Sequence, residues 1–240
     1  MRSFIKLSNN LNYWAVVPAA GVGQRMGSAC PKQYLSLLGK PILQHTLEKL
    51  LQTNVQGVVV SLAAEDNYWS QLPTLPRVWT APGGTERSDS VRHALEKLLT
   101  FPEVKPNDWV LVHDAARPCV RVSDIQNLMQ TVADYPIGGL LANPVRDTMK
   151  RADTQNCVTE TVSRQQLWHA LTPQMFRLQL LYDALTTAAI QGYPVTDESQ
   201  AIELMGYSPV LVSSHPDNIK ITHPDDLALA ALFLQQQNNV

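Results

Sequence analysis

The sequence predicts an α/β fold, a mostly parallel sheet with helices on both faces, built as one domain. Three observations carry that expectation. Short β-branched runs alternate with amphipathic helical runs along the 240 residues. Hydrophobic residues make up 45% of the chain, enough for a sizeable core. No linker, internal repeat or low-complexity tract divides it.

Taken in order, Tyr13 to Val17 is an apolar first strand that runs into a glycine-containing loop. Ile42 to Leu51 sets Ile42, Leu43, Leu47, Leu50 and Leu51 on one helical face. Gly57 to Leu62 is the next strand, and Val78-Trp79-Thr80 is strand-like. Ser88 to Leu99 repeats the helical pattern with Val91, Ala94, Leu95, Leu98 and Leu99. Trp109 to Val112 reads as a buried strand ending in His113-Asp114. Ser123 to Val132 reads as a helix capped by Ser123 or a polar neighbour, and Gly138 to Ala142 as a strand. A helix from Leu178 to Ile190, a strand from Val210 to Ser213, a short strand at Ile219 to Thr222 and a helix after Pro224 complete the chain.

Pro144 to Arg164 breaks the alternation. Two β-like stretches, around Arg146 to Arg151 and Val158 to Arg164, are joined by Asp153-Thr154-Gln155-Asn156, which reads as a hairpin. An isolated hairpin poor in apolar residues is marginal in water, so this arm (144–166) must lie on its own domain or on a second subunit. Closed two-fold dimers are the commonest way to bury such an arm, which favours the second.

A net charge of −2 provides no basic field for nucleic acid. The three cysteines, Cys30, Cys119 and Cys157, are odd in number and widely spaced, with neither a disulfide framework nor zinc spacing. Met1 to Asn10 has no uninterrupted apolar core, and no apolar run approaches membrane-spanning length. The expectation is a soluble cytoplasmic protein with neither nucleic-acid nor membrane partner.

The chemistry starts at Val16 to Gly27 (VVPAAGVGQRMG) and the Pro31-Lys32-Gln33 that follows. Its backbone N–H groups and two cations, Arg25 and Lys32, suit a nucleoside triphosphate. It is not a Walker A loop, because Gly39-Lys40 is followed by Pro41 and Tyr34 stands where the first glycine should be. It is not a dinucleotide fingerprint either, because Met26 replaces the third glycine after Gly21 and Gly23.

Three more groups fall at carboxyl ends of strands, where ligands of open α/β sheets bind. Gly83-Gly84-Thr85 precedes a helix and allows close approach to a base or ribose, while Ser88 and Ser90 are either ligand contacts or plain helix caps. Asp114 is the candidate Mg²⁺ ligand, its alternative a pairing with Arg117 or a cap on the next turn; His113 reads as scaffold. Lys220 is either an edge charge or a neutraliser of an α-phosphate, and Asp217 is a second candidate metal carboxylate. No nucleophile motif is present, which agrees with phosphoryl or nucleotidyl transfer. A phosphate monoester is already largely ionised at neutral pH, so it attacks without a general base.

With PAAGVGQRMG, CPKQYL, GGTERSDSV, VLVHDAARP, PVRDTMKR, LWHALTPQ, TDE and DNIKIT in this order and spacing, the chain resembles the 2-C-methyl-D-erythritol 4-phosphate cytidylyltransferases. The resemblance runs from about Trp14 to Leu234. It implies a single Rossmann-like nucleotidyltransferase domain with a protruding β-arm that forms a homodimer. It implies Mg²⁺ or another divalent cation, and CTP and a polyol phosphate as substrates. Arg25, Lys32, Lys220 and Asp114 would be catalytic, with Asp114 on the metal. CTP would meet Pro18, Ala19, Ala20, Gly21, Gly23, Arg25, Lys32, Gly84, Thr85 and Ser90. The sugar phosphate would meet Arg117, Thr172 and Lys220, with Thr148 and Arg164 reaching from the partner's arm. Thr85 departs from the Asp common in relatives at this position, where it could affect base selection. The nearest rival is a cytidylyltransferase for ribitol 5-phosphate or another polyol phosphate.

Overall fold

A computed structural model describes residues 12–21 and 30–238. Its centre is a seven-stranded sheet built from β1 (Tyr13–Pro18), β4 (Val55–Leu62), β5 (Val78–Pro82), β6 (Trp109–Val112), β7 (Gly138–Pro144), β10 (Trp168–Arg177) and β11 (Val210–Ser213). The spatial order is β11-β7-β10-β6-β1-β4-β5. β10 runs antiparallel to both of its neighbours, and the other pairings are parallel. Two small sheets stand apart: β2 (Ser36–Leu37) with β3 (Lys40–Pro41), and β8 (Met149–Ala152) with β9 (Val158–Val162).

Strand alternation divides the core between the two faces. In β1, Ala15 and Val17 point into a cluster closed by α1 (Ile42–Leu51) and α3 (Val122–Ala133). Trp14 and Val16 point into a cluster closed by α2 (Arg87–Leu99), α4 (Leu178–Ile190) and α5 (Glu198–Leu204). All four are buried, which is why the strand reads as a continuous apolar run rather than an alternating one. Helix α1 buries Ile42, Leu43, Leu47 and Leu50 as its periodicity predicts, while Leu51 is only half-buried.

A third cluster joins Leu37, Ile42, Ala116, Cys119 and Ile221 to Ala230 and Leu234 of α6 (Asp225–Asn238). It clamps the segment that carries Lys220. The expected strand at Ile219 to Thr222 is not formed. Ile221 N–H donates to the Ala116 carbonyl (2.8 Å), and the segment joins no strand. The Asp226 carboxylate accepts from the Thr222 and His223 N–H groups (2.7 and 2.8 Å) and turns the chain into α6. Of the expected caps of α3, the N-cap position falls to a polar neighbour, Arg121, rather than to Ser123, and its side chain makes no capping bond.

The hairpin is present as β8 and β9, with Met149 opposite Val162 and Lys150 opposite Thr161. The Asp153 carboxylate closes its turn by accepting from the Gln155 and Cys157 N–H groups (2.9 Å each). All of β8 and nearly all of β9 are exposed in the single chain. The sequence gives no sign of β10. Its register slips between Ala170 and Gln174, the stretch holding Pro173, which has no N–H to donate. This irregularity delivers Thr172 beneath the end of β6.

Candidate active site

The parallel strands β1, β5 and β6 end along one edge of the sheet, and their following loops wall a cleft of about 640 Å³. From β1 come Pro18, Ala19, Ala20 and Gly21, and Lys32 follows from the next turn. From β5 come Gly84, Thr85 and Ser90, and from β6 comes Asp114. Lys220 and Thr222 close the far wall. Gly23 and Arg25 lie outside the described residues.

Each wall is fixed by buried hydrogen bonds. Ala19 N–H donates to the Ser61 carbonyl (2.9 Å), and the buried Gln33 amide donates to the Ala19 carbonyl (2.6 Å). In the second wall Gly84 N–H donates to Ser90 Oγ (3.0 Å), whose hydroxyl in turn donates to the Glu86 carbonyl (3.2 Å). Ser90 therefore shapes the turn that it lines, so the ligand-contact and capping readings of this position share one hydroxyl. A Cβ on Gly84 would collide with Asp89, and one on Gly83 with Ala20, so both positions require glycine. Lys32 stands on a short 3₁₀ turn, and its ammonium donates to the Ile221 carbonyl (3.2 Å).

The floor is an ionic cluster around Asp114. Its Oδ1 accepts from Arg87 Nε (3.0 Å). Its Oδ2 meets Lys220 Nζ (3.0 Å) and Arg117 Nε (3.3 Å). Arg87 also grips Glu198 through both terminal nitrogens (2.6 and 3.1 Å). Burial alone would raise the Asp114 pKa, but Arg87, then Lys220 and Arg117, outweigh it and hold the carboxyl well below its usual range. Burial would likewise lower the Arg87 pKa, but Glu198 and Asp114 raise it, so its charge is secure. Losing one partner of so buried a pair costs about 3–5 kcal/mol.

Behind the floor, Asp114 N–H donates to Thr172 Oγ1 (3.1 Å), which lies 2.9 Å from His113 Nδ1. His113 Nε2 lies 3.1 Å from the Arg117 carbonyl, so Nε2 carries the hydrogen and Nδ1 accepts from Thr172. Burial pushes the His113 pKa down to about 4 from 6.5. The unfolded chain takes up this proton below about 6.5 and the folded chain only near 4. The group's stabilisation is therefore complete above the unfolded value and lost as pH falls to the folded one, about 3 kcal/mol in all. Urea unfolding at about pH 7 and pH 4.5 should show this loss, and His113→Gln should show less pH dependence; equal dependence would contradict the assignment.

The residues expected from the sequence separate into groups. Lys32, Lys220, Asp114 and the glycine-turn residues share the cleft. Arg117 is buried beside it, bound to Asp114 and to the Asn218 carbonyl (2.8 Å). The Thr172 hydroxyl is committed to His113 and the Asp114 N–H, so Thr172 supports the floor from behind rather than lining the cleft. Thr148 and Arg164 are exposed on the arm and line no part of the cleft of their own chain. Asp217 corrects the sequence expectation of a second carboxylate in the cleft: its Oδ2 meets Arg121 (2.7 Å) and Gln237 (3.1 Å), and it lines none of the cleft walls. Among the described residues no three acidic, histidine or cysteine side chains form a metal cluster. A Mg²⁺ arriving on phosphate oxygens needs only one or two carboxylates, and the ionised Asp114 has that donor chemistry.

Arg87 and Glu198 carry much of this floor and were assigned nothing from the sequence. A signal was there for Arg87. It opens α2, where the helix dipole disfavours a cation, so an arginine there asks for carboxylate partners.

The family model for IspD, 2-C-methyl-D-erythritol 4-phosphate cytidylyltransferase, matches residues 13–236. The chain belongs to that family. A curated member from Aliivibrio fischeri strain MJ11 is 51% identical over 233 residues, covering 96% of this chain and 97% of the relative. One from Vibrio cholerae is 51% identical over 228 residues, covering 94% and 97%. Among solved structures, a 4-diphosphocytidyl-2C-methyl-D-erythritol synthase superposes with a TM-score of 0.83 at 34% identity, covering 94% of this chain and all of that one. The Francisella tularensis cytidylyltransferase superposes with a TM-score of 0.80 at 36% identity, covering 92% and 99%. Family membership and the α/β fold expected from the sequence thus agree. No helix among the described residues is long and apolar enough to cross a membrane.

Proposed function

We propose that this chain transfers the cytidylyl group of CTP to 2-C-methyl-D-erythritol 4-phosphate, giving 4-diphosphocytidyl-2-C-methyl-D-erythritol and pyrophosphate, in cytoplasmic isoprenoid precursor synthesis. The observation that carries the reading is the meeting of Lys220, Arg117 and Arg87 on one ionised carboxylate at the cleft floor, within a chain of this family. Such a site is built for bringing two polyanions together. The substrate's phosphate oxygen attacks the α-phosphorus, and the bond to pyrophosphate breaks. The attacking group is already ionised, so proton removal is not the protein's task; alignment and charge compensation are.

Lys220 leaves Oδ2 of Asp114 for the α-phosphate, exchanging one anion for another. Lys32, with Arg25, holds the triphosphate and stabilises the departing pyrophosphate. Backbone groups of Ala19, Ala20 and Gly84 frame the cytidine, with Thr85 at its rim. A divalent ion would be held by Asp114 and would offset phosphate charge. The deciding assay is pyrophosphate release with CTP, Mg²⁺ and 2-C-methyl-D-erythritol 4-phosphate, with ATP, GTP and UTP as nucleotide controls and ribitol 5-phosphate as the acceptor control. Turnover confined to CTP and methylerythritol phosphate is expected; preference for ribitol 5-phosphate would reassign the acceptor.

The arm completes the site in a dimer, with Thr148 and Arg164 of the partner subunit reaching the sugar phosphate. Exposed Met149 and Val158 on the arm, with Trp168 at its root, give it apolar side chains to bury. Arg164→Ala is expected to raise KM for the sugar phosphate. A mixed dimer with Arg164→Ala in one subunit and Lys32→Ala in the other keeps one intact site of two only if the arm acts across the interface. About half of wild-type turnover per dimer is expected, and almost none would place Arg164 in its own subunit's site.

A further inference from the structure

We infer that Arg87, anchored on Glu198, is a positioning residue that sets the spacing of Lys220 and Arg117 by fixing the carboxylate they share. Arg87 is a bracket between two carboxylates from distant parts of the chain. Its Nη1 and Nη2 grip both oxygens of Glu198, whose side chain is 1% exposed, and its Nε holds Oδ1 of Asp114. The bidentate grip fixes the plane of the guanidinium, and the third bond transmits that plane to Asp114. With Oδ1 held, Oδ2 is the oxygen presented to Lys220 and Arg117. Without the bracket the Asp114 side chain can turn about its own bonds, and both cations lose their common reference.

Glu198 has no other place in the proposed reaction, since it does not line the cleft. It opens α5, where Asp197 accepts from Gln200 N–H (2.9 Å) and also from the Gln174 amide of β10 (2.9 Å). The far end of the bracket is therefore tied to the central sheet. A loosely held carboxylate would not serve the same purpose, because errors below an ångström matter when two phosphates must be brought into line.

The inference rests on the cytidylyltransferase reading, and the test keeps the two apart. Arg87→Met alone strands the buried Glu198 carboxylate, while Asp114 keeps Lys220 and Arg117, and it risks the fold, so the informative protein is the paired variant Arg87→Met with Glu198→Gln, which removes both charges together. Its thermal midpoint should stay close to that of the wild type, and its affinity for CTP within about threefold. Its kcat should fall roughly 10- to 100-fold, the scale of a positioning loss. In a Lys220→Ala background the same pair should cost less than about threefold more, because the lysine it positions is gone. Arg87→Lys keeps the charge but cannot span three acceptors, and it should not rescue turnover. Should the paired variant aggregate, Glu198→Gln alone is expected to lower kcat several-fold at unchanged CTP affinity.

Wild-type kcat in the folded paired variant, or an equal loss with and without Lys220, would overturn the inference. A crystal structure of the variant provides a readout independent of turnover: the Lys220–Asp114 contact should be lost. Its persistence overturns the positioning role even if the wild-type protein were to act on another acceptor. An inactive wild type, by contrast, would count against the proposed reaction alone.

Discussion

Lys220→Ala is expected to lower kcat by ~10²–10³-fold, the usual cost of removing one preorganised charge from a transition state. Fold and CTP affinity should change little. Lys220 is about two-fifths exposed, and Asp114 keeps Arg87 and Arg117 when it is gone. The prediction therefore separates catalysis from stability within one residue. Single-turnover pyrophosphate release measures the first and a thermal melt the second. A variant with near-normal turnover would remove Lys220 from the reaction. One that melts far earlier would make the lysine structural.

Asp114→Asn is expected to do both kinds of damage. It removes the anion on which three cations converge, leaving Arg117 and Lys220 facing each other, while Arg87 keeps only Glu198. Breaking a buried, multiply paired charge costs about 3–5 kcal/mol. The urea midpoint should fall accordingly, and kcat should drop at least as far as in Lys220→Ala. A protein of wild-type stability would mean that the cluster contributes no net energy. Normal turnover would rule out Asp114 both as a metal ligand and as the reference point for the two cations. Lys32→Ala should resemble Lys220→Ala but act more on the triphosphate, raising KM for CTP as well.

What the sequence made legible follows from the range of each interaction. Helices α1 and α4 were readable because amphipathic period and length are local properties, and α4 spans Leu178–Ile190 as expected. The hairpin was readable because its turn chemistry and alternation lie within twenty or so residues. Strand β10 was hidden by Pro173, which reads as a breaker locally and is accommodated by a register slip only when β7 lies alongside. The cleft residues were found through motif strings, which report chemistry but not contacts. Neither the bond from Arg87 to Glu198 nor that from Thr172 to His113 could be seen, because their partners lie 111 and 59 positions away. Asp217 misled for the same reason: a carboxylate close in sequence to a candidate site lysine looks available until Arg121 and Gln237 are seen to hold it.

The clamp on Lys220 has a consequence for anyone who handles this protein. Ile221 is fastened from one side by Ala116 and from the other by Ala230 and Leu234, both on α6. Helix α6 thus works as a hasp on the cleft. Loosening Ala230 or Leu234 would slacken the lysine that stands just upstream of their helix, and enzyme altered in that way would report a weakness of the clasp rather than of the catalyst.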